Sequence, residues 1–268
     1  MVTPDTTEGS WGATWLIVTG ASRGLGAGIC ELFAPQMAPG SVVVGLARSK
    51  EGLDETARRV KEKNSQVQFI AITQDVSKCD VHSMEKILED SLRLSNRKFA
   101  RTILVHNAAS LGKLDYLRTL DDLNYVKEYF NFNISTVLPL TTLFLRICRS
   151  LASNPRIQVI NISSLAAVSP IKSWGLYCTA KAARDMLFKV LAAEEKNVDV
   201  LNYAPGPLDT EMQIEVRSCT SDPEIKSFMK GMADEGKLVK VEDTVKKLLG
   251  ILQGGKYSSG DHVDYFDE

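Results

Sequence analysis

The stretch Trp15-Leu-Ile-Val-Thr-Gly-Ala-Ser-Arg-Gly-Leu-Gly26 decides the fold of this 268-residue chain. Its first five residues form an apolar run that is too short for a helix and is closed by glycine, which is typical of a strand buried on both faces. From Leu25 to Met37, apolar residues then recur at helical spacing until Pro35, Pro39 and Gly40 mark the end. The stretch therefore predicts a strand, a glycine turn and a helix.

The same alternation of strand and helix continues along the chain. It predicts a single-domain Rossmann-type fold, a doubly wound parallel sheet with helices on both faces. Further strands are predicted at 41–47, 67–72, 102–105, 158–162, 198–203 and 262–266, and further helices at 51–63, 81–94, 133–151, 177–194 and 241–252.

One domain is predicted over residues 13–268, after a short flexible tail at 1–12. The segment 207–237 breaks the alternation, because it is rich in Asp, Ser, Glu and Met and its periodicity is weak. Such a segment is typical of a mobile region over a binding site. We expect it to contact a substrate.

Composition excludes several classes of protein. The formal net charge is −1, with basic and acidic residues scattered through the chain, so the one-sided basic field that nucleic-acid binding needs is missing. The longest apolar stretch, 134–145, is too short to span a membrane. Residues 1–10 are polar and lack an apolar run, so we do not expect them to form a signal or transit peptide. The five cysteines have no close spacing, which favours reduced thiols and a cytoplasmic protein. No metal site is expected.

The glycines of the opening stretch would allow the backbone to bind a cofactor. Where Cβ atoms are absent, the backbone can approach a pyrophosphate, which the N-terminus of the following helix would bind. Glycine turns also occur at purely structural helix starts, but the position of this one between a buried strand and an amphipathic helix favours a cofactor site. The candidate cofactor residues are Gly20, Ala21, Ser22, Arg23, Gly24, Leu25 and Gly26.

The end of the second predicted strand indicates which nicotinamide cofactor binds. An acidic residue there would repel a 2′-phosphate, whereas this chain has Arg48 and Ser49. Together with Arg23, Arg48 offers two cations to that phosphate, which favours NADPH/NADP+. The alternative is a pair of solvated surface arginines. Weaker cofactor candidates follow the third and fourth strands: Asp75, Val76 and Asn107.

Tyr177 and Lys181 are four residues apart at the start of a predicted helix, so their side chains share one face. A nearby ammonium stabilises a phenolate and would lower the pKa of the tyrosine, which would then serve as a proton donor to a carbonyl under reduction. Thirteen residues earlier, Ser164 closes a predicted strand and could donate a hydrogen bond to the carbonyl oxygen. Tyr-x-x-x-Lys alone often arises by chance, but the combination with a serine and a glycine turn does not.

Through these residues the chain resembles the short-chain dehydrogenases/reductases over nearly all its length. The resemblance implies that NADPH supplies a hydride while Tyr177 donates the proton. It also implies that Lys181 binds the nicotinamide ribose and lowers the tyrosine pKa, that Ser164 polarises the carbonyl and that Asn133 supports a proton relay. The motifs that carry it are 19–26, 107–109, Asn133, Ser164, 177–181 and Pro205-Gly206.

Other stretches, at 161–165, 174–188, 200–210 and 259–264, are similar to one branch of this family, which reduces side-chain carbonyls of pterins in tetrahydrobiopterin synthesis. The similarity implies a small-molecule pterin substrate, with Asp264 as the carboxylate that anchors the amino-pyrimidine ring. Without this similarity, Asp264 would be interpreted as a solvated acidic residue near the C-terminus. The similarity also implies a homodimer built from the helices that begin at Asn133 and Tyr177. Substrate contacts are implied at Ser164, Tyr177 and Gly206, and cofactor contacts at Leu208, Asp209, Thr210, Glu211, Met212 and Gln213.

One motif departs from the family pattern, since His106-Asn107-Ala108-Ala109 stands where the family has Asn-Asn-Ala-Gly. Losing the glycine narrows the backbone angles that are allowed there. His106 itself is expected to be a packed histidine rather than an acid or base.

Two other functions are compatible with the same residues. A broad-specificity NADPH carbonyl or diketone reductase would use the same catalytic group but would have no use for Asp264. A cofactor-sensing protein without turnover would keep the nucleotide site, but the intact set of Ser164, Tyr177 and Lys181 argues against it.

Overall fold

The computed structural model describes residues 11–93 and 98–268. The strands are β1 Thr14–Thr19, β2 Val42–Ala47, β3 Gln68–Thr73, β4 Arg101–His106, β5 Arg156–Ile162, β6 Val198–Ala204 and β7 His262–Asp264. They form one parallel sheet in the order β3-β2-β1-β4-β5-β6-β7. Because the chain builds outward from β1 in both directions, the predicted doubly wound sheet is confirmed.

Helices follow the strands as predicted. They are α1 Gly24–Phe33, α2 Lys50–Lys63, α3 Val81–Arg93, α4 Leu123–Phe130, α5 Val137–Ser150, α6 Gly175–Glu194, α7 Glu211–Cys219, α8 Pro223–Asp234 and α9 Val241–Gly254.

Burial explains which strands were easiest to predict. Every residue of β1 and β2 is buried, as expected of central strands in a parallel sheet covered on both faces. The edge strand β3 alternates between exposed and partly buried positions. β7 has three residues, all partly buried. The sheet thus has a fully buried centre and two more accessible edges.

Several predicted boundaries were wrong. The first helix ends at Phe33 rather than Met37, because Pro35 leads the chain into a short 3-10 turn. The last strand ends at Asp264 rather than Phe266. The helix predicted at 133–151 is preceded by α4, which was not predicted. The predicted tail over residues 1–10 and the predicted helix end at Leu94 lie outside the described residues.

The segment 207–237 interrupts the alternation of strands and helices, as predicted, but it contains α7 and α8, which its weak periodicity did not predict. Asp222 caps α8: its carboxylate accepts hydrogen bonds from the amides of Glu224 and Ile225, and Pro223 occupies the first turn. These are ordinary start signals of a helix. A mobile role for this segment stays a prediction.

The chain divides into two compact units. The first comprises the described residues up to Asn107 together with Pro139–Val159, and the second comprises Ala108–Leu138 and Ile160–Glu268. The prediction that 13–268 is a single domain stays a prediction. Within the described ranges, no helix is long and apolar enough to cross a membrane.

Candidate active site

The glycine turn lies in the first unit and is fixed by backbone contacts. The amides of Gly20 and Ala21 both donate to the carbonyl of Leu46, at 2.7 and 3.2 Å. The side-chain amide of Asn107 donates to the carbonyls of Thr19 and Gly20, at 2.9 and 3.2 Å. Asn107, predicted as a cofactor contact, therefore holds the turn from which the cofactor residues project.

Gly26 shows how closely the turn is packed. A Cβ atom at this position would lie 2.3 Å from the carbonyl oxygen of Gly20 and 2.6 Å from the side-chain nitrogen of Asn107. Such distances are far below van der Waals contact. Gly20 and Gly24 also have positive φ angles of 70° and 54°, which glycine adopts without strain. The spacing of these glycines thus reflects real steric demands.

The start of α1 fits an anionic group. Over the described residues, no side chain caps this helix at Arg23 and its first turn contains no acidic residue. The first amides of a helix lack intrahelical partners and carry its positive dipole end. The residues present therefore fit the pyrophosphate of a dinucleotide.

Arg48 is exposed directly after β2, where the sequence placed it. The neighbouring Asp75 accepts hydrogen bonds from the amide and hydroxyl of Ser77, at 3.0 and 2.7 Å. These bonds, and to a smaller extent the charge of Arg48, hold the pKa of Asp75 below its usual value. Ser49 caps α2 by accepting from the amide of Gly52 at 3.1 Å. Arg48 is thus an exposed cation at the end of β2, and its contact with a phosphate stays a prediction.

The altered motif after β4 is accommodated without strain. His106 is buried, and its Nε2 lies 2.8 Å from the hydroxyl of Thr141, so the prediction of a packed histidine is confirmed. Among the described residues, positive φ angles outside glycine occur only at Asn154 and Ser173. Ala109 thus needs no glycine conformation.

In the second unit, one stripe of α6 carries the predicted catalytic pair. Tyr177 and Lys181 are 8% and 3% exposed, and the ammonium nitrogen of Lys181 lies 5.5 Å from the centroid of the Tyr177 ring. Lys181 donates to the carbonyl of Ile162 at 2.6 Å. The predicted shared face is confirmed.

The protonation of these groups differs from the sequence expectation. Burial raises the pKa of Tyr177 to about 12, while a hydrogen bond with Ser164 and the positive charge of Arg184 oppose the rise. Burial, together with the charge of Arg184, holds the pKa of Lys181 well below its usual value. The expected lowering of the tyrosine pKa by Lys181 is therefore not what this structure shows. The physical reason is that burial disfavours both ionised forms.

Ser164 lies two residues after the end of β5, at the strand end where the sequence placed it. Its hydroxyl caps the short 3-10 turn Leu165–Ala167 by accepting from the amide of Ala166 at 3.1 Å. The hydroxyl of Ser164 also interacts with the phenol of Tyr177 and opposes the rise of the tyrosine pKa. Ser164 and Tyr177 are thus brought together as the sequence predicted.

Asn133 lies in a π-helical turn, Asn131–Ser135, between α4 and α5. Its side-chain oxygen accepts from the amide of Ser110 at 2.9 Å, and its side-chain nitrogen donates to the carbonyl of Tyr129 at 3.0 Å. In a regular α-helix that carbonyl would pair with the backbone amide of residue 133. Such turns are frequent at functional sites. Its predicted relay role stays a prediction.

Asp264 ends β7 and is partly buried. Its Oδ1 accepts from the amide of Phe266 at 3.0 Å, and its own amide donates to the carboxylate of Asp267 at 2.8 Å. These bonds turn the chain and explain why the strand stops short of Phe266. Gly206 has a φ of 77°.

The residues predicted after Gly206 form the entry to α7. Leu208 pairs with Val239 in an isolated bridge, and the amide of Asp209 donates to the carbonyl of Val239 at 3.0 Å. Thr210 precedes the helix, and Gln213 is buried while Glu211 and Met212 are exposed. Their predicted contacts to a cofactor stay predictions.

Sequence reasoning missed three side chains next to the catalytic pair. The Trp174 ring packs edge-on against Tyr177, with centroids 5.9 Å apart, and its indole nitrogen donates to the hydroxyl of Thr220 at 3.2 Å. Arg184 and Asp185 are buried although both are charged. The sequence signal that could have identified Arg184 is its position seven residues after Tyr177, which places both residues on the same face of the helix.

Comparison with known proteins gives the following matches. The family model "short chain dehydrogenase" matches residues 14–220. Sepiapterin reductase of Xenopus tropicalis is 38% identical over 262 residues, covering 97% of this chain and 98% of that protein. Sepiapterin reductase of Bos taurus is 36% identical, covering 97% of each chain. The (S)-benzoin-forming benzil reductase of Bacillus cereus is 27% identical, covering 93% of this chain and 98% of that protein.

Solved structures share the fold. The crystal structure of the KRED1-Pglu enzyme matches with a TM-score of 0.78 at 26% identity, covering 94% of this chain and all of that chain. A short chain dehydrogenase of Shigella flexneri, solved in complex with NADP, matches with a TM-score of 0.76 at 20% identity, covering 97% of this chain and all of that one.

Proposed function

Since the chain belongs to the short-chain dehydrogenase family, we propose that it is a sepiapterin reductase, which uses NADPH to reduce side-chain carbonyls of pterins such as sepiapterin and 6-pyruvoyl-tetrahydropterin. Family membership makes a nicotinamide dinucleotide the cofactor; its identity as NADPH is part of the proposal. The observation that carries the proposal is that Tyr177 interacts with Ser164 and lies beside Lys181, in a chain 38% identical to a sepiapterin reductase over 97% of its length.

The cofactor would be held by the first unit. The backbone amides at the start of α1, which the Arg23 side chain does not cap, suit the pyrophosphate. Arg48 suits a 2′-phosphate because the position directly after β2 holds this cation rather than a carboxylate. When bound, NADPH supplies the hydride. The resemblance to the family assigns the nicotinamide ribose to Lys181.

Tyr177 is the proton donor in this proposal. Because its pKa is raised to about 12, the phenol is protonated at neutral pH, which is the form that can give a proton to a carbonyl oxygen. The Ser164 hydroxyl orients the same oxygen by a hydrogen bond. Asn133, fixed between Ser110 and Tyr129, would support the return of a proton to the site.

Asp264 decides the substrate class. A carboxylate can accept two N–H bonds from an amino-pyrimidine ring, which a diketone lacks. One of its oxygens already accepts from Phe266, and lone pairs remain for a ligand. The similarity to benzil reductase favours the second candidate, a broad diketone reductase, for which Asp264 would be dispensable.

NADPH consumption with sepiapterin and with a small diketone tests the proposal. Wild-type protein should reduce sepiapterin with the higher kcat/KM. Asp264→Asn should lower kcat/KM for sepiapterin about 10- to 100-fold, since a charged hydrogen-bond acceptor is worth about 1.5–3 kcal/mol, and it should leave the diketone nearly unaffected.

Asp261→Asn is the matched control, because Asp261 is an exposed carboxylate directly before β7, at the opposite end of the strand from Asp264, and the asparagine oxygen can still accept from the amide of Ser258; it should change neither rate. If Asp264→Asn lowers both rates equally, Asp264 is structural. If it lowers neither, the pterin assignment loses its main physical support. If the wild-type protein does not oxidise NADPH in the presence of either substrate, this result would favour a cofactor-sensing role.

The proposal includes a cytoplasmic location and a homodimer. All five cysteines are free thiols, which suits a reducing compartment. The second unit exposes Met186 and Val190, one turn apart on α6, and an apolar helix face of this kind suits a partner subunit.

A further inference from the structure

Asp185 is a buried carboxylate to which the proposed reaction gives no role. It is 3% exposed and follows Tyr177 on α6 by eight residues, which is about two helical turns. A carboxylate in the interior is costly unless hydrogen bonds or an opposite charge compensate it. The contacts of Asp185, all within the second unit, show how this cost is met.

Both oxygens of Asp185 have partners. Oδ1 accepts from the hydroxyl of Ser163 at 2.6 Å and from the side-chain amide of Asn161 at 3.0 Å. Oδ2 lies 2.6 Å from Nδ1 of His262. Because an ionised carboxylate only accepts hydrogen bonds, the ring nitrogen is the donor in this pair. The first two contacts join α6 to the end of β5, and the third joins α6 to β7.

The contact with His262 supports a strand that has few other supports. β7 is the last strand of the described sheet and pairs there with β6. The side chains of His262 and Asp185 are only 13% and 4% exposed. Directly before the strand, a Cβ atom at Gly260 would lie 2.9 Å from the Cβ of Ala192, which is also on α6. The helix therefore holds the beginning of this edge strand at two places.

The alternation of side chains along β7 connects this support with Asp264. Side chains two residues apart in a strand lie on the same face of the sheet, so Asp264 shares the face on which His262 meets α6. The strand runs parallel to β6, with Asp264 opposite Ala204. Asp264 therefore lies at the carboxyl edge of the sheet, where Ser164 follows β5. Because β7 has only three residues, a shift of His262 would displace Asp264 as well.

We propose that His262 is a positioning residue that sets substrate specificity: through its contact with Asp185 it fixes β7 to the catalytic helix α6 and so holds Asp264 where it meets the amino-pyrimidine ring of a pterin. Ser164 and Tyr177 serve the reacting carbonyl, so His262 affects substrate binding rather than proton transfer. A diketone has no such ring and does not depend on the contact. This inference rests on the proposed function, in which Asp264 binds the pterin.

His262→Leu removes the hydrogen-bond donor and keeps an apolar side chain in its place. We expect the KM for sepiapterin to rise about tenfold while kcat stays within about twofold of wild type, because a displaced anchor weakens binding without altering the chemical step. The KM for a small diketone should change by less than about twofold. Initial rates of NADPH oxidation at varied substrate concentration give these constants. His82→Leu, the same change at an exposed histidine of α3, is the matched control and should leave them unchanged.

A conservative variant separates the hydrogen bond from the bulk of the ring. His262→Asn brings a side-chain N–H to about the position of Nδ1, so it can still donate to Asp185. Its KM for sepiapterin should lie within about threefold of wild type, below that of His262→Leu. A residue that only fills space would give the reverse order, with leucine closer to wild type than asparagine.

A double variant shows whether His262 acts through Asp264. In the Asp264→Asn background, His262→Leu should change kcat/KM for sepiapterin by no more than about twofold, because the effects of two residues that serve one interaction are not additive. The proposal is overturned if the two effects multiply, or if His262→Leu raises the KM of both substrates equally. Should His262→Leu not fold, as judged by circular dichroism, His262→Val takes its place, since valine favours a strand.

The wild type and Asp264→Asn reveal a failure of the proposed function by themselves. If the wild type does not reduce sepiapterin, or if Asp264→Asn leaves kcat/KM for sepiapterin unchanged, the pterin assignment fails and the role of His262 is rejected with it. If both behave as proposed but His262→Leu has the wild-type KM for sepiapterin, only the inference about His262 is overturned.

Discussion

The glycine turn of the first unit and the catalytic stripe of the second use different parts of the chain for their chemistry. The turn works through backbone amides, with glycines that allow close approach and with exposed arginines at its margin. The stripe works through buried side chains, including Tyr177, Lys181 and Arg184. The spacing of glycines therefore predicts a site built from backbone amides. A site built from buried polar side chains is harder to predict, because its helix has the same kind of sequence as a helix on the surface.

The largest effect is expected on the stripe. Tyr177→Phe should lower kcat for carbonyl reduction about 10²–10⁴-fold, because the proton donor is lost. The Kd of NADPH, measured by fluorescence titration, should stay within about twofold, since a proton donor does not hold the phosphates. Tyr125→Phe removes another phenol of the same unit and serves as the control. Near-normal turnover in Tyr177→Phe would show that another group is the acid.

The margin of the turn sets the cofactor preference. Arg48→Asp should reduce the ratio of kcat/KM for NADPH over NADH on the order of a hundredfold, since it removes one cation and adds a carboxylate that repels the 2′-phosphate. Lys61→Asp, which makes the same charge change on the exposed side of α2, should leave the ratio unchanged. An unaltered ratio in Arg48→Asp would mean that Arg48 is a solvated surface residue.

The smallest effect is expected on the backbone of the turn itself. Gly26→Ala should lower the free energy of unfolding by about 1–3 kcal/mol, because the new Cβ displaces backbone atoms in a closely packed site. Urea denaturation measures the change. Gly250→Ala is the control, since nothing lies within 4 Å of a Cβ there, and it should stabilise α9 by about 0.5–1 kcal/mol. Equal responses of the two variants would contradict the tight packing at Gly26.

The central strands could be predicted from the sequence almost to the residue. β1 and β2 are buried on both faces, and their short apolar runs are typical of such strands. The pairing of Ser164 with Tyr177 was also predictable, because the spacing of serine, tyrosine and lysine encodes it.

Other features depend on contacts that spacing does not reveal. The π-helical turn around Asn133 and the burial of Arg184 arise from tertiary partners, Ser110 in the first case and Asn161 and Ala108 in the second. The direction of the pKa shift of Tyr177 was misjudged for the same reason, since the burial that raises this pKa cannot be derived from the sequence alone. By contrast, α8 was not predicted, although Asp222 and Pro223 are ordinary start signals of a helix.

The short edge strand β7 has a consequence for how the protein opens. Amides of a fully buried strand such as β1 exchange with solvent only when much of the molecule unfolds, whereas three partly buried residues at a sheet edge can open locally at a much smaller free energy. We therefore expect the element that carries Asp264 to open at a smaller free energy than the central strands. A ligand held by this carboxylate would favour the closed form of the edge, so that part of its binding free energy orders the strand that binds it.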